Sequence, residues 1–367
     1  MTQKQIILKV EGHDPIAQQL MKYGLTPIKF GILVLLLNIF VDSILGVTFG
    51  VFLSNGENPG ILQDLTAMSF DFFITPLICG AYLWSALASD KLLNDIQEKG
   101  IIKSIKNAND SINEINIQYR RYHFLFLAIL FSSIFATAQV AAYMGWVPWR
   151  TFSGYLYIYP PMSFARMPFW FFTFYSIAYS IFNISITSSI LGSIFKRPNN
   201  ININLLHPDK CGGLSIMGNY ASKTGYVIIP IGLFASVSAI LEIQQGNFST
   251  AYPIHLFILV YILLAPIVFA LPVWEAHKAM STKKCAELLK ISDRFQNKYA
   301  KILTSSTLIW KQSDLEDTQK LHQFVSEKYP NWPFNLGNLQ RFVFTIISPL
   351  IPIAISILTD VLLKALI

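Results

Sequence analysis

Charge is scarce in this sequence. Asp, Glu, Lys and Arg make up 13% of its 367 residues, against about 25% in an ordinary soluble domain. Cysteine is scarcer still, at three residues. Cys79 falls in an apolar run, while Cys211 and Cys285 fall in polar connections, so no disulfide framework is implied. Several motifs are missing. There is no Gly-x-x-x-x-Gly-Lys-Ser/Thr loop, so the chain by itself is not an ATP-driven pump. There is no His-Glu-x-x-His pair and no Gly-x-Ser-x-Gly turn, no potassium-type filter sequence, and no motif that names a cofactor. Alternating ten-residue strands are absent too, which excludes a transmembrane β-barrel. Residues 1–28 are polar and mixed in charge, and they precede an apolar run too long for a cleavable signal core.

What the chain has in abundance is apolar surface, at 53% of its residues, with 28 Phe. Seven runs are long enough to cross a hydrocarbon layer of about 30 Å. They cover 29–53, 65–89, 122–145, 167–194, 217–242, 253–276 and 342–365. The basic residues are sorted between the connections. All but Arg150, Arg166 and Lys364 of the 28 Lys and Arg fall on one side of such a map. The positive-inside rule then predicts a cytoplasmic N-terminus and an external C-terminus in the cell membrane. The net charge of +7 is explained by these loops, and no nucleic-acid partner is expected.

The expected architecture is an all-α polytopic bundle. An N-tail (1–28) leads to six spans (29–276) with a helical cytoplasmic loop (90–121). A cytoplasmic helical segment (277–341) and the seventh span (342–367) follow. The sixth span is expected to run on as one helix from Tyr252 to Leu303. Its stripe of Cys285, Leu288, Leu289, Ile291, Phe295, Tyr299 and Ile302 and a matching stripe of Leu92, Leu93, Ile96, Ile101, Ile102 and Ile105 predict a small cytoplasmic bundle. Asp110 is the expected cap of a helix entering the third span, and Ser313-Asp-Leu-Glu316 reads as a capping box. The aromatics of 146–166 (Trp146, Trp149, Tyr155, Tyr157 and Tyr159) fit an interfacial anchor better than a ligand lid. Asn247-Phe-Ser249 is a formal glycosylation acceptor.

Acids inside the spans are the main functional signal. Asp42 lies near the middle of the first span, Asp71 in the outer part of the second and Asp360 in the outer part of the seventh. Glu57, Asp64 and Glu242 ring the outer mouth. An ionised Asp at mid-membrane costs about 2.5–3.5 kcal/mol on insertion scales. With no Lys or Arg at matching depth, the expected partners of Asp42 are Asn38, Gln139 or Asn183, a bound cation, or a proton. Asp42, Asp71, Asp360, Glu242 and Asp64 are therefore ion-pathway candidates, against the reading of protonated acids acting as packing glue. Prolines 76, 230, 266, 272, 349 and 352 fall within spans, and each can expose a backbone carbonyl. Pro349 and Pro352, then Pro266 and Pro272, are the kink candidates.

The string Leu206-His-Pro-Asp-Lys-Cys-Gly-Gly-Leu214 is the most specific in the chain. His207, Asp209 and Cys211 carry donor atoms, but a zinc site would need His277 and Cys285 as well, and no ligand spacing supports it. Gly212-Gly213 could form an anion-binding turn. The favoured reading is a tight turn set by Pro208 and the glycines and capped by Asp209. His207-Pro-Asp-Lys210 matches the J-domain co-chaperone signature, which joins two soluble helices and so does not apply between spans. The longer string resembles a loop in a group of uncharacterised bacterial multi-pass membrane proteins. Asn331-Trp-Pro-Phe-Asn-Leu336, with Leu339 and Arg341-Phe342, is similar to the same group's pattern before the last span. The resemblance implies a shared fold and brings no activity.

Three function classes follow: a cation or proton channel or transporter, a membrane sensor or effector working through a cytoplasmic partner at 278–340, and a lipid-acting intramembrane enzyme. Transport ranks first and the enzyme last. The lipid bilayer is the one partner expected in every case, and a homo-oligomer is compatible with each. The topology is also similar to that of seven-helix insect odorant-receptor channels, at fold level only.

Overall fold

A computed structural model describes residues 14–118, 121–147, 154–196, 201–204, 207–244, 252–304, 312–334 and 336–366. Trp149, Arg150, Leu206 and the Asn247 acceptor lie outside these. The described residues are all-α, with a single isolated bridge between Ile102 and Ile201. The helices are α1 (Pro15–Lys22), α2 (Pro27–Phe49), α3 (Leu65–Glu98), α4 (Ile105–Gln118), α5 (Arg121–Tyr143), α6 (Ser163–Lys196), α7 (Ser215–Lys223), α8 (Gly225–Gln244), α9 (Tyr252–Thr304), α10 (Gln312–Lys328), α11 (Leu336–Ile347) and α12 (Leu350–Leu366). Among the described residues, six helices are long and apolar enough to cross a membrane, or seven if the bent α11–α12 pair is one span.

Helix α2 shows which solvent this bundle suits. Its buried positions are Phe30, Val34, Asn38, Asp42, Leu45 and Gly46, at helical spacing. Leu33, Leu36, Leu37, Phe40 and Ile44 face outward. The polar residues point inward and the large apolar ones outward, the reverse of a helix on a water-soluble core. The outer faces of α5 (Phe126, Leu130, Ile134) and α9 (Leu256, Leu259, Leu263) are likewise apolar. The chain is built to be embedded in a membrane. α2 lies close to α3 through two glycines: a Cβ on Gly31 would sit 3.0 Å from the Pro76 carbonyl oxygen, and one on Gly80 3.0 Å from that of Pro27.

The kink expected at Pro349 is present. α11 and α12 meet there at 45°. Proline has no N–H, so the ladder breaks and carbonyls are left over, a costly state away from water. Two hydroxyls reach carbonyls at the break: Tyr261 of α9 donates to that of Ile346 in the last turn of α11 at 2.9 Å, and Ser236 of α8 donates to that of Pro349, the residue before α12. Gly232 makes room for this, since a Cβ there would lie 2.6 Å from the Tyr261 ring. Pro352 sits in the first turn of α12, where its missing N–H costs nothing. Pro266 and Pro272 lie inside the unbroken α9 and do not divide it.

α9 runs for 53 residues, about 80 Å at 1.5 Å per residue, and its far half forms a stalk beyond the apolar bundle. The largest core cluster is here. Leu92, Leu93, Ile96, Ile101 and Ile102 pack with Ile190 and Ile194 of α6, Met280 and Ile291 of α9, and Val325 and Tyr329 of α10. Four of the seven residues of the expected α9 stripe behave otherwise: Cys285, Leu289, Phe295 and Tyr299 are exposed. α10 covers only one side of the stalk, pinned by Lys284 Nζ to the Ser326 carbonyl at 2.6 Å and by Lys298 Nζ to Thr318 at 3.3 Å. Ile291 falls on the covered side and the other four do not. Asp110 is not a cap. α4 starts earlier, at Ile105, and Ser104 Oγ accepts from Asn107 N at 3.4 Å in its place. α10 likewise begins at Gln312, so Ser313 is inside the helix.

Tyr261→Phe is expected to leave the Ile346 carbonyl unpaired and cost about 1 kcal/mol. Gly232→Val, which drives atoms into the Tyr261 ring, should cost more, about 1–3 kcal/mol. Melting of both variants in detergent measures this, and an unchanged midpoint for Gly232→Val contradicts the packing.

Candidate functional site

The candidate site lies at the end of the bundle where α2 stops and α6 begins. Its origin is Pro76. The turn Phe70–Ile74 of α3 is a π-turn, in which the Thr75 N–H reaches the Phe70 carbonyl. The Asp71 carbonyl has thereby lost Thr75 as a donor, and the next N–H along would belong to Pro76, which has none. Asn38 of α2 supplies the missing bond, with its Nδ2 donating to that carbonyl at 2.8 Å.

Arg166, on the first turn of α6, completes the cluster and is 1% exposed. Its Nη1 donates to Asn38 Oδ1 at 3.2 Å and its Nε to the Tyr155 hydroxyl at 3.1 Å. Its Nη2 donates to the carboxylates of both Asp42 and Asp71, the latter at 2.9 Å. The Phe169 ring lies 5.4 Å from the guanidinium carbon. Asp42 and Asp71 are buried, at 4% and 6% exposure. This corrects the expectation that no basic residue stands at the depth of Asp42. The sequence map places Arg166 in the external loop. In the fold the helix begins at Ser163, after the 3₁₀ turn Pro160–Met162, and carries Arg166 inward.

Tyr155 is held from the other side. Asp64 caps the start of α3 through Ala67 N at 2.9 Å, and its second oxygen accepts from the backbone N–H groups of Gly154 and Tyr155. The segment from Gly154 is therefore tied to α3 and, through the Tyr155 ring, to Arg166. Tyr155 is 1% exposed, so it is not an interfacial aromatic, whereas Trp146 at 67% fits that role.

Among the described side chains, two acids of the outer ring stand apart from this cluster. Glu242 is half-buried near the end of α8 and Glu57 is exposed; neither joins this network. Asp360 lies on α12, and its side chain is outside the described ones. Asn183 donates instead to the Ser85 carbonyl at 2.8 Å and to Ser89 Oγ at 3.1 Å. Gln139 helps line a cavity of about 20 Å³ with Phe70 and Trp170, room for one water.

The loop around Asp209 is a separate, self-contained turn. Asp209 Oδ1 accepts from Cys211 N at 2.9 Å and Gly213 N at 3.0 Å, and Oδ2 from Ser215 N at 3.2 Å at the start of α7. His207 Nδ1 lies 2.8 Å from Oδ1. Lys210, Gly212 and Gly213 have φ of 55°, 65° and 92°. A Cβ on Gly212 would also strike Ile203 at 2.7 Å, so glycine is required on both counts. The chain's own carboxylate fills the concavity that an external anion would need. Among the described residues no group of three or more His, Cys, Asp or Glu could hold a metal, so His207, Asp209 and Cys211 are not joined by His277 or Cys285. Burial alone would raise the pKa of Asp209. The three backbone N–H groups outweigh it and hold the carboxyl down, at about 2. Burial, with Asp209 beside it, pushes the Cys211 thiol up to about 11.

No family model, curated protein or solved structure matches this chain.

Arg166→Met is expected to cost about 3–5 kcal/mol, because it strands two buried carboxylates. Adding Asp42→Asn and Asp71→Asn should recover part of that loss. Thermal melting of the single and triple variants checks both statements, and a triple variant less stable than the single one contradicts the charge argument. Asp209→Ala should speed maleimide labelling of the buried Cys211. The folded pKa of Asp209 lies below its ordinary 3.8. Its contribution is thus complete above about pH 4 and lost as pH falls toward about 2. Amide exchange at Gly213 and Ser215 should accelerate over that window in the wild type and show no such step in Asp209→Asn.

Proposed function

We propose that the chain is a proton-coupled membrane transporter whose proton-loading site is the Asp42–Arg166–Asp71 cluster. One observation carries this reading: two buried carboxylates share one guanidinium nitrogen. Arg166 neutralises one acid only. In a medium of low dielectric the other charge is neutralised by a proton or a small cation. A proton suits the geometry better, because the oxygens of Asp42 and Asp71 meet on a single donor and the other Arg166 donors go to neutral groups. Gain or loss of that proton switches the cluster between balanced and one charge in excess. The cluster joins α2, α3, α6 and the Tyr155 segment, so the change acts on all four. The wide turn at Asp71 is of a kind that recurs at functional sites.

The test is proton uptake into proteoliposomes under an imposed pH gradient. Wild type is expected to acidify the lumen. Asp71→Asn, which keeps the shape and leaves Arg166 paired with Asp42, should reduce the rate at least tenfold while the protein stays folded. Equal rates in wild type and Asp71→Asn remove the cluster from the mechanism.

A second reading is favoured by the stalk. Leu289, Phe295 and Tyr299 are exposed beyond the apolar bundle, which suits contact with another protein and a sensor or effector role. In that case Leu289→Glu with Phe295→Glu abolishes recovery of the partner and leaves proton uptake unchanged.

A further inference from the structure

Where the apolar part of α9 gives way to the stalk, a cavity of about 490 Å³ opens between α9 and the end of α6. This is the size of a small-molecule site. Four lysines line it: Lys196 from the last turn of α6, and Lys278, Lys283 and Lys290 from α9. Among the described residues lining it, Glu275 is the one acid. It is committed to Lys278 at 3.0 Å and rests against Gly192, where a Cβ would lie 2.7 Å from its Oε2. Lys283 and Lys290 are held side by side by Glu287, at 3.3 and 3.2 Å. Phe195, Ile201 and Ala279 supply an apolar wall.

The level of this cavity is marked by aromatics. Trp274 and Trp332 are 49% and 40% exposed, as residues at the edge of a hydrocarbon layer are. Lys278 lies 5.8 Å from the Trp274 ring, and His277 stacks on Trp332 at 3.9 Å. The lysines thus begin one turn past the aromatic edge and continue along the stalk. Four lysines against two acids along one concave wall favour a multiply charged anion. Basic pockets between spans, at headgroup depth, hold phosphate-bearing lipids by the same physics.

We propose that this cavity binds a phosphate-bearing anion, with Lys196, Lys283 and Lys290 as its ligands and Lys278, paired to Glu275, as the fourth cation at its mouth. The site is distinct from the Asp42–Arg166–Asp71 cluster and does not depend on the function assigned to that cluster. The phosphate can come from a lipid headgroup or from a soluble phosphate compound.

The experiment titrates delipidated protein in neutral detergent with short-chain phosphatidic acid and, separately, with inorganic pyrophosphate, and reads the shift in melting temperature. Wild type is expected to be stabilised by at least one of them. Stabilisation by the lipid alone identifies a headgroup, and stabilisation by both identifies the phosphate itself. Lys196→Gln with Lys283→Gln and Lys290→Gln should weaken half-saturation at least tenfold, while Lys22→Gln with Lys328→Gln leaves it unchanged. Glu275→Gln, which removes the one lining acid, should tighten it severalfold and serves if the triple variant does not fold. No shift with either probe in wild type overturns the proposal. So does a triple variant that binds like wild type, or a Glu275→Gln variant that binds more weakly.

Discussion

A guanidinium buried among acids in a low-dielectric layer is the constraint around which one end of this molecule is arranged. Taking an ion out of water costs several kcal/mol, and the cost is met only where charges and hydrogen bonds are matched. Arg166 has its donors matched to Asp42, Asp71, Asn38 and Tyr155. Each comes from a different part of the chain or from a different turn of the same helix. Satisfying one side chain therefore fixes the relative depth of α2, α3 and α6, and brings the Tyr155 segment down onto them. Asp64 then holds that segment by its backbone. Four of the five Arg166 N–H donors are engaged, two of them by the carboxylates that face a single nitrogen.

The same accounting explains the prolines. Pro76 leaves the Asp71 carbonyl without a donor, and the break at Pro349 ends α11; in both places a side chain from a neighbouring helix reaches a carbonyl: Asn38 at Asp71, and Tyr261 and Ser236 at the α11–α12 bend. Water does this on a soluble protein. Within an apolar layer a neighbouring helix must do it, so a proline in one span dictates a polar residue in another. Pro266 and Pro272 lie inside α9, which continues past both of them.

The two ends of the molecule thus differ in chemistry. One gathers acids around a single arginine within the apolar layer. The other spreads lysines along a helix that leaves it. α3, α6 and α9 each run from the first end into the stalk core of Leu93, Ile190 and Met280. The Arg166 cluster and the Lys283 cavity share α6, which carries Arg166 at one end and Lys196 at the other.

The sequence by itself determined the apolar runs, the length of α9, the bend at Pro349 and the capping role of Asp209. Each of these is local: it follows from composition over a turn or two, or from a residue that lacks an N–H. The tertiary structure alone decided that Arg166 lies beside Asp42, 124 positions away. The helix start at Ser163 and the need of two inward acids for a cation were the available signals, but one sequence does not record how deep one helix sits against another. It also decided that Cys285, Leu289, Phe295 and Tyr299 stay uncovered, because an apolar stripe says which face can be buried and not whether a neighbour is long enough to bury it.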